Sequence, residues 1–257
     1  MRSLSMVVVF GLISSACSLP GASAEAGYAL LSLSGDVGLS AATLPLAGQN
    51  DGGSFVDQDV SSFGLGGDEG SPYARAQLDL GMPVLALKGF TFEQEGSGTL
   101  QDPFGSINAG NVTSKLSLTN IQGSLAFEFA LGPVSVAPGI AVDYLDVDFS
   151  VREQGSGLTE TIDWQAPIPM AFLRAEADLW LLQGVGEVGY IQVPEIQGIE
   201  GTFWDLDLTV SYRPTPLVHL FTGYRHVHID ANGESGGQNF DTNLDLAGWV
   251  FGGGFSF

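Results

Sequence analysis

The last fifteen residues constrain the fold of this chain more than any other stretch. They read NLDLAGWVFGGGFSF and end on an aromatic residue. From Trp249 onward, Trp249, Phe251, Phe255 and Phe257 fall on one face with Gly253, and the other face carries only glycine, valine and serine. A period of two is that of a β-strand. Bulky apolar residues on one face and small residues on the other suit the wall of a closed barrel that lipid surrounds.

Segments of the same alternating character recur along the chain between turn signals. Ten strands are predicted, at 27–40, 73–81, 84–93, 115–131, 134–151, 162–180, 184–194, 203–213, 217–230 and 243–257. Four gaps between them are tight, at 81–83, 132–133, around 182–183 and at 214–216. The other five are longer and rich in Gly, Asp, Asn, Gln and Ser, at 41–72, 94–114, 152–161, 195–202 and 231–242.

Short and long gaps alternate without exception. Outer-membrane barrels show this asymmetry between periplasmic turns and extracellular loops, whereas a soluble β-sandwich has no reason to sort its loops. Strands in lipid must also pair all their backbone groups internally, so such a sheet has to close. We therefore predict an all-β fold, a closed antiparallel transmembrane β-barrel of about ten strands, with eight or twelve as alternatives. A soluble secreted β protein is a third reading.

Charged residues alternate with apolar ones in several strands, as Asp205 and Asp207 do with Trp204, Leu206 and Leu208. A charge facing lipid would cost about 2–4 kcal/mol near the membrane midplane, so the charges are predicted to face the lumen. The predicted lumen cluster is Arg75, Asp79, Glu128, Arg174, Glu176, Asp178, Asp205, Asp207 and Arg225. Two readings stay open: salt-bridged side chains that fill a narrow barrel, or the lining of a pore.

Two places depart from the simple pattern. The third strand, at 84–88, is apolar on both faces. In the last strand Leu244 and Leu246 are out of phase with Trp249, which suggests a bulge near Gly248.

The start of the chain has the organisation of a secretory signal peptide. Arg2 precedes a short apolar run, and the triplet Ala22-Ser23-Ala24 suits cleavage before Glu25. Residues 1–24 are therefore predicted to be a signal and 25–257 the barrel. The competing reading is a lipoprotein signal with lipid on Cys17. Since Cys17 is the only cysteine, the mature chain would contain no disulfide.

The charge and hydropathy of the chain limit which classes of partner it can bind. The 29 acidic residues outnumber the 8 basic ones, so nucleic acid is excluded as a partner by repulsion. Outer-membrane lipid is the expected surrounding, and acidic loops could attract divalent cations. The mean hydropathy is +0.22 although no apolar run after the signal is long, which means that apolar residues are dispersed as strand alternation disperses them.

Two motifs are candidate sites. Residues 184–189 fit the dinucleotide fingerprint GxGxxG, but the strand-like residues that follow argue against the helix it requires, so no cofactor is predicted. His226, His228 and Asp230 share one strand face and are candidates for a metal site, or for ordinary polar residues where the strand leaves the membrane. No catalytic motif is recognisable, and the chain is predicted not to be an enzyme.

Three stretches carry a resemblance to a family. APIPMAFLRAEADLW at 166–180, GYRHVHID at 223–230 and the ending at 240–257 look like those of small Gram-negative outer-membrane proteins of unassigned function. The resemblance implies a bacterial outer-membrane location. It also implies an assembly signal in the last strand, formed by Trp249, Phe251, Phe255 and Phe257, with the outer-membrane assembly machinery as its partner.

These observations predict a structural or non-enzymatic barrel with a charge-filled lumen. One alternative is a narrow porin-like pore, or a barrel that transports or binds a small hydrophobic or cationic solute. Another is an outer-membrane hydrolase of the omptin type, whose members are ten-stranded barrels with acidic residues and a histidine at the extracellular rim.

Overall fold

The computed structural model describes residues 21–40, 56–196, 199–235 and 238–257. Its long strands are β1 (Gly21–Leu39), β2 (Asp68–Asp79), β3 (Pro83–Leu100), β4 (Gly110–Phe127), β5 (Val134–Glu153), β6 (Thr159–Leu179), β7 (Leu182–Ile196), β8 (Ile199–Tyr212), β9 (Val218–Ser235) and β10 (Gln238–Ser256). Each pairs antiparallel with the next, and β10 pairs with β1, so the sheet closes. The predicted fold class, a closed antiparallel barrel of ten strands, is confirmed.

Smaller elements complete the chain. Gln58–Asp59 pairs with β1, and Phe129–Leu131 prolongs β4 along β5. A 3-10 helix spans Val60–Phe63. Within the described ranges, no helix is both long and apolar enough to cross a membrane. Most of the predicted signal, 1–20, lies outside the described residues, and its predicted cleavage site falls in the first residues of β1.

The strands are strongly staggered. Following hydrogen-bonded partners once round the barrel from Gly21, through β2 to β10 in turn, leads back to β1 at Leu33, twelve residues further along. Such a stagger goes with tilted strands, and side chains fill the interior of a barrel with eight strands. A barrel with ten strands has a slightly wider interior, and in this chain the inward side chains fill it in layers.

The two ends of the barrel differ, as predicted. At the short-turn end the strands are joined by 80–82, by 132–133, by 180–181 and by 213–217. At the long-loop end the predicted loops are partly strand: β7 and β8 reach Ile196 and Ile199, and β9 and β10 reach Ser235 and Gln238. These stretches are rich in Gly, Glu and Asn, so the sequence has a loop-like composition although the backbone ladder continues in the described residues. Part of the first predicted loop, 41–55, lies outside the described residues.

The predicted bulge in β10 is corrected. The pairing of β10 with β1 and β9 runs without interruption through Gly248. Leu246 is buried in the lumen and Leu244 packs against the same core, in phase with Gly248. The lumen is apolar at this level, so inward leucines need no break in the alternation. In β3, Val84 likewise points inward, and Leu87 points outward.

Outward side chains form an apolar belt. Aromatic residues border it toward the long-loop end: Tyr28, Tyr144, Tyr190, Trp204, Tyr224 and Trp249. Others border it at the short-turn end: Phe129, Trp180, Tyr212 and Phe257. Aromatic girdles of this kind flank the lipid-facing band of transmembrane barrels. The residues of the predicted assembly signal all lie exposed on this outer face.

Candidate functional site

The lumen is the candidate site, and its inward side chains are sorted by level. A polar chamber lies at the short-turn end, an ionic layer crosses the middle, and an apolar chamber lies toward the long-loop end under a cap. This order follows from the inward positions of β1, which run from Ser23 and Glu25 to Leu31 and Leu33.

Glu187 of β7 is the centre of the ionic layer. Its carboxylate accepts hydrogen bonds from Arg75 of β2, from Arg174 of β6 at 2.6 Å and from Lys88 of β3 at 3.2 Å. Glu187 is 3 % exposed. Because β2 and β3 lie across the barrel from β7, the contacts of Glu187 with Arg75 and Lys88 bridge the lumen, whereas Arg174 is its partner on the neighbouring strand.

Two aspartates of β8 extend the layer. Lys88 Nζ lies 3.4 Å from both Asp205 and Asp207, and Arg225 of β9 lies 3.1 Å from Asp205 and 3.5 Å from Asp207. Arg225 is fully buried, and its guanidinium lies 4.8 Å from the centre of the Phe90 ring. A cation over an aromatic face gains further electrostatic attraction.

Amide side chains carry the network to β4 and β5. Asn120 and Gln122 each donate to Asp143 at 3.0 Å, Gln122 donates to Asp205 at 2.7 Å, and Arg225 donates to Asn120 at 2.9 Å. Buried ions are tolerable only when they are paired and hydrogen-bonded, and here four buried cations face four buried carboxylates. These side chains fill the lumen at this level.

The predicted lumen cluster is partly brought together. Arg75, Arg174, Asp205, Asp207 and Arg225 lie in the ionic layer, and Glu176 lies at its edge, 2.7 Å from Arg174.

The other three predicted members lie outside the ionic layer, near strand ends at the short-turn mouth. Asp79 accepts a hydrogen bond from the Gly81 amide at 2.8 Å and so closes a turn. Asp178 pairs with the partly exposed Arg213 at 3.3 Å. Glu128 is half-buried where β4 ends, and its amide bonds to the turn between β2 and β3.

Sequence reasoning missed Lys88, Asp143 and Glu187. Each lies between neighbours that carry no charge and is in phase with inward residues. Within the rejected dinucleotide motif, Gly189 has a different use, because a Cβ there would come 2.9 Å from the Met170 side chain. The glycine leaves room for a lumen side chain.

The three candidate metal residues lie on the outward face of β9. His226 and His228 point outward from β9, and both contact Asp245 of β10, at 2.7 and 2.9 Å. The Trp204 ring lies edge-on to His226, with ring centres 4.4 Å apart. Their carboxylate partner is therefore Asp245 on the neighbouring strand, not Asp230. Across the described ranges, no three His, Cys, Asp or Glu side chains are grouped to hold a metal.

The apolar chamber is enclosed by inward side chains of six strands and by the cap. Its lining is Leu33, Val37, Val60, Leu65, Leu116, Leu118, Val147, Phe149, Ile162, Trp164, Val227, Ile229, Thr242, Leu244 and Leu246. The centre of a water-sized sphere can move through about 50 Å³ of it. All lining residues except Thr242 are apolar, so water inside would find few partners.

The cap consists of residues 58–66, which fold into the barrel mouth. Phe63 is fully buried, and its ring packs edge-on against Phe104 at 5.1 Å and Phe149 at 5.3 Å between centres. Asp59 begins the 3-10 helix by accepting from the Ser61 amide at 2.7 Å. The hydrogen bonds from the Ser61 hydroxyl and amide hold the pKa of Asp59 below its usual value.

Side-chain to backbone hydrogen bonds and close backbone packing hold the cap in place. Gln58 donates to the Asp102 carbonyl at 2.9 Å, and Gln94 accepts from the Gly66 amide at 3.1 Å. The cap also lies directly on two glycines of β3. A Cβ on Gly96 would come 2.0 Å from the Gly64 carbonyl, and one on Gly98 would come 2.1 Å from the Ser62 carbonyl. Only glycine allows the two segments to approach this closely.

Comparison with solved structures confirms the fold. Outer membrane protease OmpT from Escherichia coli matches with a TM-score of 0.62 and 10 % identity, over 95 % of this chain and 100 % of that one. Ail, the attachment invasion locus protein of Yersinia pestis, matches with a TM-score of 0.36 and 9 % identity, over 93 % and 99 %. A FadL homologue of Pseudomonas aeruginosa gives 0.36 and 9 %, over 93 % and 90 %.

The chain matches no protein-family model and no curated protein sequence. Its resemblance to bacterial outer-membrane barrels is thus confirmed at the level of the fold, and the narrower family stays a prediction. The prediction that the chain is not an enzyme was wrong as it stood. It rested on the lack of a recognisable motif, but a protease has the same barrel fold. The fold therefore decides neither for nor against catalysis.

Proposed function

We propose that this protein is inserted in a bacterial outer membrane and binds one small apolar molecule in the apolar chamber of its lumen. The outward apolar belt with its aromatic borders supports the insertion. The observation that carries the binding is the enclosed chamber, in which fourteen of the fifteen lining side chains are apolar. Apolar cavities stay dry and take up molecules such as benzene or xenon.

The layers of the lumen suggest how the ligand reaches the chamber. Its floor is the ionic layer, whose members are almost fully buried and tied to one another across the barrel. An apolar molecule crossing that layer would have to separate ion pairs, which is costly at low dielectric. The ligand therefore enters and leaves from the long-loop end, past the cap.

Trp164 reports on the chamber. It lines the apolar chamber, whereas Trp180, Trp204 and Trp249 lie on the outer face or its border. A reference protein in which those three are replaced by Phe has one tryptophan, inside the lumen. Nitrobenzene, a small apolar quencher, should then quench its fluorescence in lipid nanodiscs with saturation.

A matched pair of variants separates the chamber from the membrane. Val147→Phe fills the chamber, and Val210→Phe makes the same change on the lipid-facing surface, where Val210 is 51 % exposed. Saturable quenching should persist in Val210→Phe and be lost in Val147→Phe. Equal, non-saturating quenching in both would mean that nitrobenzene only partitions into lipid, and would refute the proposal.

A further inference from the structure

The polar chamber at the short-turn end contains three side chains in one line. His219 Nε2 lies 2.9 Å from Glu25 Oε1, and on the other side of the ring His219 Nδ1 lies 3.4 Å from Ser256 Oγ. The three residues come from β9, β1 and β10, which are adjacent at the closure of the barrel. His219 is 3 % exposed. A hydroxyl, an imidazole and a carboxylate in this order are the components of an activated nucleophile.

The position of the imidazole depends on a glycine. A Cβ on Gly254 would come 2.6 Å from His219 Nε2 and 2.6 Å from the Ala24 carbonyl. The ring thus packs closely against the backbone of β10, where any side chain at 254 would displace it. Glycine at this place keeps the imidazole between its two partners.

The surroundings suit a developing negative charge. Arg75, Arg174 and Arg213 line the same chamber, together with Gln183 and Ser211. Among the described residues, Arg213 Nε and Glu25 Oε2 are buried and lack a hydrogen-bond partner. An unpaired buried donor is costly in the resting protein, and a ligand oxygen could satisfy it.

We propose that Ser256 is a nucleophile, with His219 as its general base and Glu25 as the residue that positions the imidazole. The substrate class is a small carboxylic ester with a short acyl group, because a water-sized sphere centre has only about 40 Å³ in this chamber. Access is from the short-turn mouth, where Arg213 is partly exposed. This site is separate from the apolar chamber, and the ionic layer lies between them.

The steps balance within these residues and water. Ser256 Oγ bonds to the carbonyl carbon while its proton passes to His219 Nδ1. The leaving alkoxide then takes that proton, which yields an alcohol and an acylated Ser256. His219 next removes a proton from water as the water oxygen bonds to the acyl carbon, and Ser256 regains a proton as the carboxylic acid departs.

Methanesulfonyl fluoride is small enough to test this site. It should form a sulfonate ester on Ser256 of the folded barrel, with loss of fluoride, detectable by peptide mass spectrometry. Ser256→Ala should abolish the modification. His219→Gln should slow it at least tenfold and remove its rise with pH. Thr222→Ala, which removes a hydroxyl from the outer face of β9, should leave the rate unchanged.

Folding of each variant is checked by the migration of unheated and heated samples. Glu25→Gln, which replaces one oxygen, stands in for His219→Gln if that variant does not fold, and should slow the modification and shift its pH profile. An unmodified Ser256 in the folded wild-type barrel would overturn the proposal. So would an equal rate and pH profile in the wild-type protein and in the folded His219→Gln or Glu25→Gln variant.

Discussion

Lys88 and Glu187 meet across the lumen, with Nζ 3.2 Å from Oε2, although β3 and β7 are far apart in strand order. The same ammonium lies 3.4 Å from Asp207. One lysine therefore ties two walls of the barrel to each other. The ionic layer acts as a cross-brace, and its members should depend on one another for stability.

The first prediction concerns this brace. Arg225→Leu leaves Asp205 and Asp207 with less compensation in a buried site, and breaking a buried pair costs about 3–5 kcal/mol. Asp57→Asn, at an exposed position, should leave stability unchanged. Denaturant unfolding in lipid vesicles measures both. Equal midpoints for the two variants would mean that solvent screens the layer.

A second prediction tests the seat of the cap. Gly98→Ala places a Cβ 2.1 Å from the Ser62 carbonyl, so the cap must shift. Overpacking of this kind typically costs about 1–3 kcal/mol. When both proteins also carry Val60→Cys, the thiol at this buried position should react with a maleimide faster in Gly98→Ala than in the protein that keeps Gly98. Gly123→Ala, where a Cβ meets nothing within 4 Å, is the control. An unchanged rate in Gly98→Ala would show that the cap does not rest on this glycine.

A third prediction tests the phase of β10. Leu246 is 3 % exposed in the lumen, so Leu246→Ala should destabilise the barrel by about 2–5 kcal/mol, as buried truncations do. Leu208→Ala makes the same change on the outer face, where Leu208 is 47 % exposed, and should cost clearly less. Unfolding titrations of the two variants compare them. A larger loss of stability in Leu208→Ala than in Leu246→Ala would support a bulge near Gly248 instead.

The fourth prediction is that the wild-type protein does not conduct ions. Arg225, Glu187 and Lys88 are at most 3 % exposed and fill the lumen at one level. No steady single-channel steps are expected in planar bilayers under conditions in which a general porin shows them. Steady, ion-selective steps would establish the pore reading instead.

The last prediction concerns orientation. If the long-loop end faces outward, a cysteine at the exposed Glu69 should react with an impermeant maleimide on intact cells, and one at Thr215 should react only after lysis. Cys17 lies in the predicted signal, so it should not contribute. Labelling of Thr215→Cys alone on intact cells would reverse the topology.

The sequence predicted the barrel because alternation is a local property. Asp205 and Asp207 alternate with outward leucines, and that pattern alone assigns them to the lumen. Which charges meet depends on the twelve-residue stagger, which no single strand reveals. The stagger brings Lys88 to its partners Glu187 and Asp207, which lie on strands almost a hundred residues or more away in sequence.

The cap and the apolar chamber were not predictable in the same way. Phe63 lies in a stretch rich in glycine, serine and aspartate that shows no period, so nothing marked it as buried. Leu246 predicts a bulge from the sequence because it is out of phase with the outward Trp249. Single-strand patterns show which face a residue takes, but not whether that face meets water, ions or other apolar groups.

The start of β1 has a consequence for the finished protein. Ser23 and Ala24 pair with Ser256 and Phe255 of β10. If the signal is removed before Glu25, Ser23 and Ala24 are removed with it. Phe255 and Ser256 of β10 then have no partners on β1 at the short-turn end. Phe257 would then follow a part of β10 that has no partner on β1. The new terminal amine, on Glu25, would lie near His219. Removal of the signal during export would therefore open the polar chamber at the short-turn end.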